Sequence, residues 1–363
     1  MKTSKIKFII FIVLISFVTF SFSKKQEVLR KASFWEKLDK NYVKCTLCPF
    51  YCVLKPNQKG ICKVRKNIKG ELYTLVYNKP IAIHIDPIEK KPLYHFLPGT
   101  KILSIATAGC NLNCNFCQNW EISQADPENV DSYNFSPKDI VNFAIENKCH
   151  SIAFTYTEPT IFYEYMLDIA KLAKLQNLKT VWVTCGYINP EPLKQLLPYL
   201  DAANIDLKGF NEGFYEKYTT GHLEPVLNTI KTAFQESLLI EITNLVIPNA
   251  NDDPDDVKNM CNWIIQELSD DVPLHFSRFF PKYKLLDIPS TPKRILERNY
   301  KIALDCGLKY IYLGNVITDK EDTFCPVCGK KVIDRSGYQI IENNLINGKC
   351  KFCGEKIYGI YSP

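Results

Sequence analysis

The amino-acid sequence predicts an α/β fold: a parallel β/α succession wound into a full or partial barrel or a doubly wound sheet, with small cysteine-rich metal-binding segments at both ends. Three observations carry this. Apolar, β-rich runs recur at 102–106, 151–155, 180–184, 203–206, 239–246, 273–276 and 310–313, with helical stretches between them. Eleven of the 15 cysteines fall into three groups, too clustered for the disulfide scaffold of a small secreted domain. In a chain of 363 residues, 46% hydrophobic against 23% charged is enough to bury a sizeable core. The net charge is +6, from 45 Lys and Arg against 39 Asp and Glu, but only six of the basic residues are Arg. That is thin for bidentate recognition of phosphates or bases, so no nucleic-acid partner is expected.

In chain order, residues 1–25 read as a signal-like or membrane-anchor segment, in which Lys2, Lys5 and Lys7 precede an uncharged run over 8–23. That run would span roughly 24 Å, short of a hydrocarbon core of about 30 Å. Thiolates that must stay reduced argue against export, and Lys24, Lys25, Arg30 and Lys31 beyond the run suit a cytoplasm-facing tether. The alternative is export after cleavage near Ser21 or Ser23.

Residues 40–98 form a cysteine-rich segment holding Cys45, Cys48, Cys52 and Cys62. Their spacing matches neither common ferredoxin run, and four thiols so close together can hold zinc or an auxiliary iron–sulfur cluster.

Residues 99–318 carry the β/α series. Ser136 followed by Pro137 and Asp139 marks a helix start, and 161–176 and 254–268 have apolar residues at helical spacing. Chemistry collects at the carboxyl ends of parallel strands, which singles out Cys110, Glu158, Cys185, Lys208 and His275. After the first run, Cys110, Cys114 and Cys117 place three thiols within eight residues. A 4Fe–4S cube has four corners, so such a loop leaves one iron open; an incomplete zinc site is the plainer alternative. Cys149, Cys185, Cys261 and Cys306 lie among apolar residues and read as small buried hydrophobes.

Residues 319–363 contain Cys325, Cys328, Cys350 and Cys353, two CxxC pairs each followed by Gly and separated by 21 residues. With all four positions filled by protein, this is a structural zinc site of ribbon type.

The CxxxCxxC loop with Phe116 before the third Cys resembles that of radical S-adenosylmethionine (SAM) enzymes. The wider pattern is more specific. Asp86-Pro87-Ile88-Glu89-Lys90-Lys91-Pro92-Leu93-Tyr94-His95-Phe96, the loop with Cys117-Gln118-Asn119-Trp120, Thr155-Tyr156-Thr157-Glu158-Pro159-Thr160, Asp206-Leu207-Lys208, Leu274-His275-Phe276-Ser277-Arg278-Phe279 and the closing Cys pairs are similar to the AmmeMemoRadiSam system radical SAM enzyme, a relative of pyruvate formate-lyase activating enzymes. The resemblance implies a partial (β/α)6-type TIM barrel and reductive cleavage of SAM to a 5'-deoxyadenosyl radical that activates or modifies a partner. It implies Glu158 at the cofactor's amino group, Phe116 near its adenine, Thr184 near the ribose, Lys208 near the cofactor or target backbone, and His275 facing the same cavity. It also implies ferredoxin or flavodoxin as electron donor, and Memo and AMMECR domain proteins as partners. Cys185 departs from the pattern, in which Asn is usual. The rival from another class is a non-catalytic metal-binding adaptor with a vestigial barrel.

Overall fold

The computed structural model describes residues 29–362. Its central sheet opens with an antiparallel edge strand, β1 (Pro80–Pro87), followed by seven parallel strands: β2 (Lys101–Thr107), β3 (Ser151–Phe154), β4 (Lys179–Thr184), β5 (Ala202–Asp206), β6 (Leu239–Val246), β7 (Leu274–Arg278) and β8 (Ile311–Gly314). Spatial order follows chain order, and β1 and β8 end the sheet without pairing to each other, which makes a partial barrel. The parallel strands are covered on both faces and so read as continuous apolar runs; Ile152, Ala153 and Phe154 of β3 are fully buried. β1 is different. It is half exposed, with His84 and Ile85 toward solvent, and starts and ends on Pro, which cannot donate to a ladder. Its Ile81, Ile83 and Ile85 alternate with Ala82, His84 and Asp86 instead of forming an unbroken apolar run, and residues 80–87, expected within the front segment, join the barrel.

Helices connect the strands: α1 (Pro137–Glu146), α2 (Tyr163–Leu175), α3 (Pro190–Leu196), α4 (Glu212–Thr219), α5 (Leu223–Gln235), α6 (Pro254–Glu267) and α7 (Lys293–Cys306). Local chemistry starts them. The Ser136 side chain accepts from the Asp139 N–H at 3.3 Å while the Asp139 carboxylate accepts from the Ser136 N–H at 2.8 Å, a reciprocal cap on α1. Asp253 caps α6 in the same spirit, accepting from Asp255 N–H at 2.9 Å.

The front cysteines lie in and between the strands of two small three-stranded sheets pinned to the barrel. Asn189 donates to Leu47 O at 3.0 Å and to Thr46 O at 2.8 Å, and buried Arg65 pairs with buried Glu164 of α2. At the other end of the chain, a three-stranded ribbon (Thr323–Phe324, Lys331–Ser336, Gln339–Asn343) precedes a short hairpin and a tail that returns to the barrel. Tyr358 and Ile360 pack with Leu93 and Phe96 under Ile102, Ala153, Val181 and Ala202, each within the first three residues of its strand, and so close the barrel's amino end. Among the described residues no helix is long and apolar enough to cross a membrane; the tether expected over 8–23 lies outside them.

Candidate active site

With its amino end plugged, the barrel opens at the carboxyl ends of the strands, where a cavity of about 320 Å³ is walled by the segments that follow β2 to β8. Cys110, Cys114, Cys117, Phe116, Glu158, Thr184 and Lys208 all line it.

The three thiols sit on the loop after β2. Backbone contacts on both sides hold the loop: Gly109 N–H to Ile122 O at 3.0 Å, Asn113 N–H to Thr219 O at 3.0 Å and Asn115 N–H to Tyr218 O at 2.9 Å. Gly109 is obligatory here. Its φ is +94°, and a β-carbon would lie 2.5 Å from Val64 Cγ1 and 2.6 Å from Cys62 O. Burial pushes the Cys114 thiol up to about 12 and the Cys110 thiol well above its usual range. Two sets of potential ligand atoms lie mutually within 4.8 Å among the described residues: Cys325, Cys328, Cys350 and Cys353, and an exposed Glu212, Glu216, His222 group. The loop trio is not one of them. Thiolates sharing one zinc stand about 3.8 Å apart, so the loop is too open for a single ion, whereas thiols bound to separate corners of a cube need the wider spacing.

Glu158 follows β3 and is 1% exposed. Its Oε1 accepts from Thr160 N–H at 3.0 Å, Thr160 Oγ1 at 2.6 Å and Thr184 Oγ1 at 2.7 Å; its Oε2 accepts from Cys185 N–H and Cys185 Sγ, both at 2.8 Å. The carboxylate therefore caps the turn Pro159–Phe162 and also faces the cavity. Lys208, beyond β5, ion-pairs with Asp206 at 2.7 Å and lies 5.9 Å from the centre of the Phe116 ring. Burial opposes its charge, but Asp206 and the nearby thiols outweigh it and hold the ammonium well above its usual range.

His275 is not on this cavity. It is the second residue of β7, one layer below Ser277, which takes the cavity position on the same face. Its Nε2 meets Glu241 Oε2 at 2.7 Å, and its ring packs on Tyr94 and Tyr312. The expectation that His275 faces the cofactor is thus corrected: the side chain satisfies a buried carboxylate in the core.

Sequence reasoning missed Asp86, Lys91 and Tyr156. Lys91 lines the cavity, is 2% exposed, and reaches Asp86 Oδ2 at 2.7 Å; Tyr156 donates to the same carboxylate. Burial pushes the Lys91 ammonium down to about 8, against the pull of Asp86. Burial raises the Asp86 carboxyl, but hydrogen bonds from Lys90, Lys91 and Tyr156 outweigh it and keep it well below the usual carboxylate range. The available signal was three charges, Asp86, Lys90 and Lys91, at the exit of a strand.

A partial parallel barrel whose carboxyl-end cavity gathers three thiols on its first loop defines a cofactor-dependent enzyme. The sequence profile of the Radical SAM superfamily matches residues 104–264. An uncharacterized protein of Methanocaldococcus jannaschii is 46% identical over 332 residues, 91% of this chain and 99% of that protein. A pyruvate formate-lyase-activating enzyme of Listeria monocytogenes is 24% identical over 182 residues, 46% of this chain and 70% of that protein. A crystallised domain of the pyruvate-formate lyase-activating enzyme of Bacteroides vulgatus aligns with 46% of this chain and 99% of its own at 17% identity and a TM-score of 0.41. The chain carries a radical SAM domain over residues 104–264, with homology to pyruvate formate-lyase activating enzymes. That domain implies a 4Fe–4S cluster and SAM as cofactors.

Proposed function

We propose that this enzyme cleaves SAM reductively at a 4Fe–4S cluster held by Cys110, Cys114 and Cys117, and that the resulting radical activates or modifies a partner protein. One observation carries the reading: three thiols from one loop and a buried carboxylate from the next strand line the same cavity. The donor set fits the cluster, since the sulfurs are spread more widely than a single ion allows and Leu112 N–H already points at Cys110 Sγ from 3.4 Å. When bound, the cluster supplies the electron that splits SAM into methionine and a 5'-deoxyadenosyl radical.

The chain's own groups do the rest. Glu158 would take the cofactor's amino group, exchanging the weak thiol donor of Cys185 for a charged one. Thr184 is locked onto Glu158 and orients it. Phe116 offers an apolar face, with Lys208 and Asp206 placed over it as a neutralised pair. Buried walls exclude water and stray hydrogen donors from a reactive radical.

The same reading assigns zinc to Cys325, Cys328, Cys350 and Cys353, whose cross-pairs Cys325–Cys353 and Cys328–Cys350 stand at 3.5 and 3.7 Å, near the edge of a zinc tetrathiolate. It divides the chain at about residues 40–98, 99–318 and 319–363, with the ribbon as a structural clamp. Similarity to activating enzymes favours a protein substrate and a reduced ferredoxin or flavodoxin as donor. The motifs quoted above favour the AmmeMemoRadiSam group, with Memo and AMMECR domain proteins as partners, and the thiol content favours a cytoplasm-facing body.

The test is anaerobic reconstitution and dithionite reduction with SAM. 5'-Deoxyadenosine should form, and a Cys110→Ala control should form none. Equal product from both, or none from either, would sink the proposal and favour a metal-binding adaptor. A radical signal arising on an added partner would assign activase chemistry.

A further inference from the structure

Cys45, Cys48 and Cys52 come from one stretch of the front segment and Cys62 from another, yet all four line one small cavity of about 20 Å³. Apolar side chains such as Leu47 and Leu54 seal it, and Cys45 and Cys62 are buried. The first question is whether the four sulfurs could share one ion. They do not belong to any group of ligand atoms lying mutually within 4.8 Å, in contrast to the four sulfurs of the ribbon. A water-sized gap lies among them, and four thiolates closed on one zinc at about 2.3 Å leave no such gap. Iron would bond these sulfurs rather than merely touch them, so the free space a cluster needs is less than its own size suggests.

A further observation points to a bound anionic group. Arg65, 1% exposed, brings Nη1 within 3.5 Å of Cys45 Sγ. Buried cations are paired, and Glu164 answers only part of what Arg65 presents, because its Nε has no partner. Asn111 adds the fourth wall. It is 1% exposed, lines the cavity and is fixed by donating from Nδ2 to Tyr187 O at 2.8 Å.

We infer that Cys45, Cys48, Cys52 and Cys62 hold a second 4Fe–4S cluster, ligated entirely by protein, directly behind the loop that carries Cys110. The position follows from shared walls: Asn111 is the residue after Cys110, and the Cys62 carbonyl packs against Gly109. The inference rests on the proposed function only for what this second centre neighbours; the four-thiol site can be tested by itself.

The experiment uses the full chain with Cys110, Cys114 and Cys117 all changed to Ala, reconstituted anaerobically with iron and sulfide. About four iron and four sulfide per chain should remain, with an electron paramagnetic resonance signal after dithionite that SAM does not alter. Wild-type protein should carry about eight iron, of which SAM shifts the single open-corner iron, about one in eight, in the Mössbauer spectrum. A triple variant without iron, holding either a second zinc or four titratable thiols, overturns the inference. Should that variant fail to fold, Cys48→Ser with Cys52→Ser in the intact loop should halve the iron and keep the SAM-responsive iron; unchanged iron overturns it equally. If instead the first-centre reading is wrong, the triple variant keeps its iron while no iron in the wild type responds to SAM.

Discussion

Replacing Glu158 by Gln separates its two roles. In the folded protein Oε1 receives three donors and Oε2 receives two, from Cys185 N–H and Sγ. A Gln amide keeps one acceptor, and the less costly orientation leaves it with Thr160 and Thr184 and turns the NH2 toward Cys185. Two N–H donors then face each other in a buried site, costing about 1–3 kcal/mol of stability. The second loss is to the ligand: a charge-assisted hydrogen bond to an ammonium contributes about 1.5–3 kcal/mol, so the SAM Kd should rise roughly 10- to 150-fold. Anaerobic equilibrium dialysis of SAM on reconstituted protein reads the affinity, and thermal unfolding reads the stability. If Glu158 served only as a cap, Glu158→Gln would lower Tm and leave Kd within about twofold; that result would refute its role at the cofactor.

Three other expectations follow from described contacts. Gly109→Ala forces a left-handed backbone costing about 1–2 kcal/mol and a β-carbon into Cys62 O and Val64; it should lower both Tm and bound iron, and a variant matching wild type in both would contradict the packing. His95 is neutral in the fold, donating from Nδ1 to Tyr358 O and accepting at Nε2 from the Tyr312 hydroxyl, each at 2.6 Å, and burial pushes it from 6.5 down to about 4. Below pH 6.5 the unfolded chain takes up a proton that the fold refuses, so this contribution is full above pH 6.5 and declines as pH falls toward 4, by about 1.4 kcal/mol at pH 5.5. The stability gap between wild type and His95→Gln, measured by denaturant at pH 7.5 and 5.5, should narrow by that amount; a constant gap argues against a neutral buried ring. On the zinc assignment proposed above, a chelator, or Cys328→Ser, should speed hydrogen exchange at the Leu97 amide, which bonds Ile360 O at 2.7 Å, because Arg335 of the ribbon also holds Tyr94 O at 2.7 Å. Unchanged protection of Leu97 would show that the ribbon and the barrel floor are uncoupled.

The parallel strands were legible because burial on both faces demands unbroken apolar runs, and Ile152, Ala153 and Phe154 obey that demand. β1 was not, because an edge strand tolerates His84 and Ile85 in solvent and Pro at both ends. The three loop thiols and Glu158 were legible from spacing and from their place after β2 and β3. His275 was misplaced because strand ends were read from composition. One layer of the barrel separates it from Ser277, and no sequence pattern reports that depth. Lys91 escaped for a related reason, since its burial depends on Asp86 and Tyr156, which lie five residues upstream and across the sheet.

Since the central strands lie in the order in which they are synthesised, each can dock on its predecessor as it leaves the ribosome. Tyr358 and Ile360 are synthesised after the strands they cover, those of Ile102, Ala153 and Val181. Until the tail arrives, the nascent barrel has a greasy, uncovered underside. A chain truncated just before residue 358 should therefore form its strands yet bind chaperones through that underside, and the segment carrying Tyr358 and Ile360 acts as the stopper that ends the exposure.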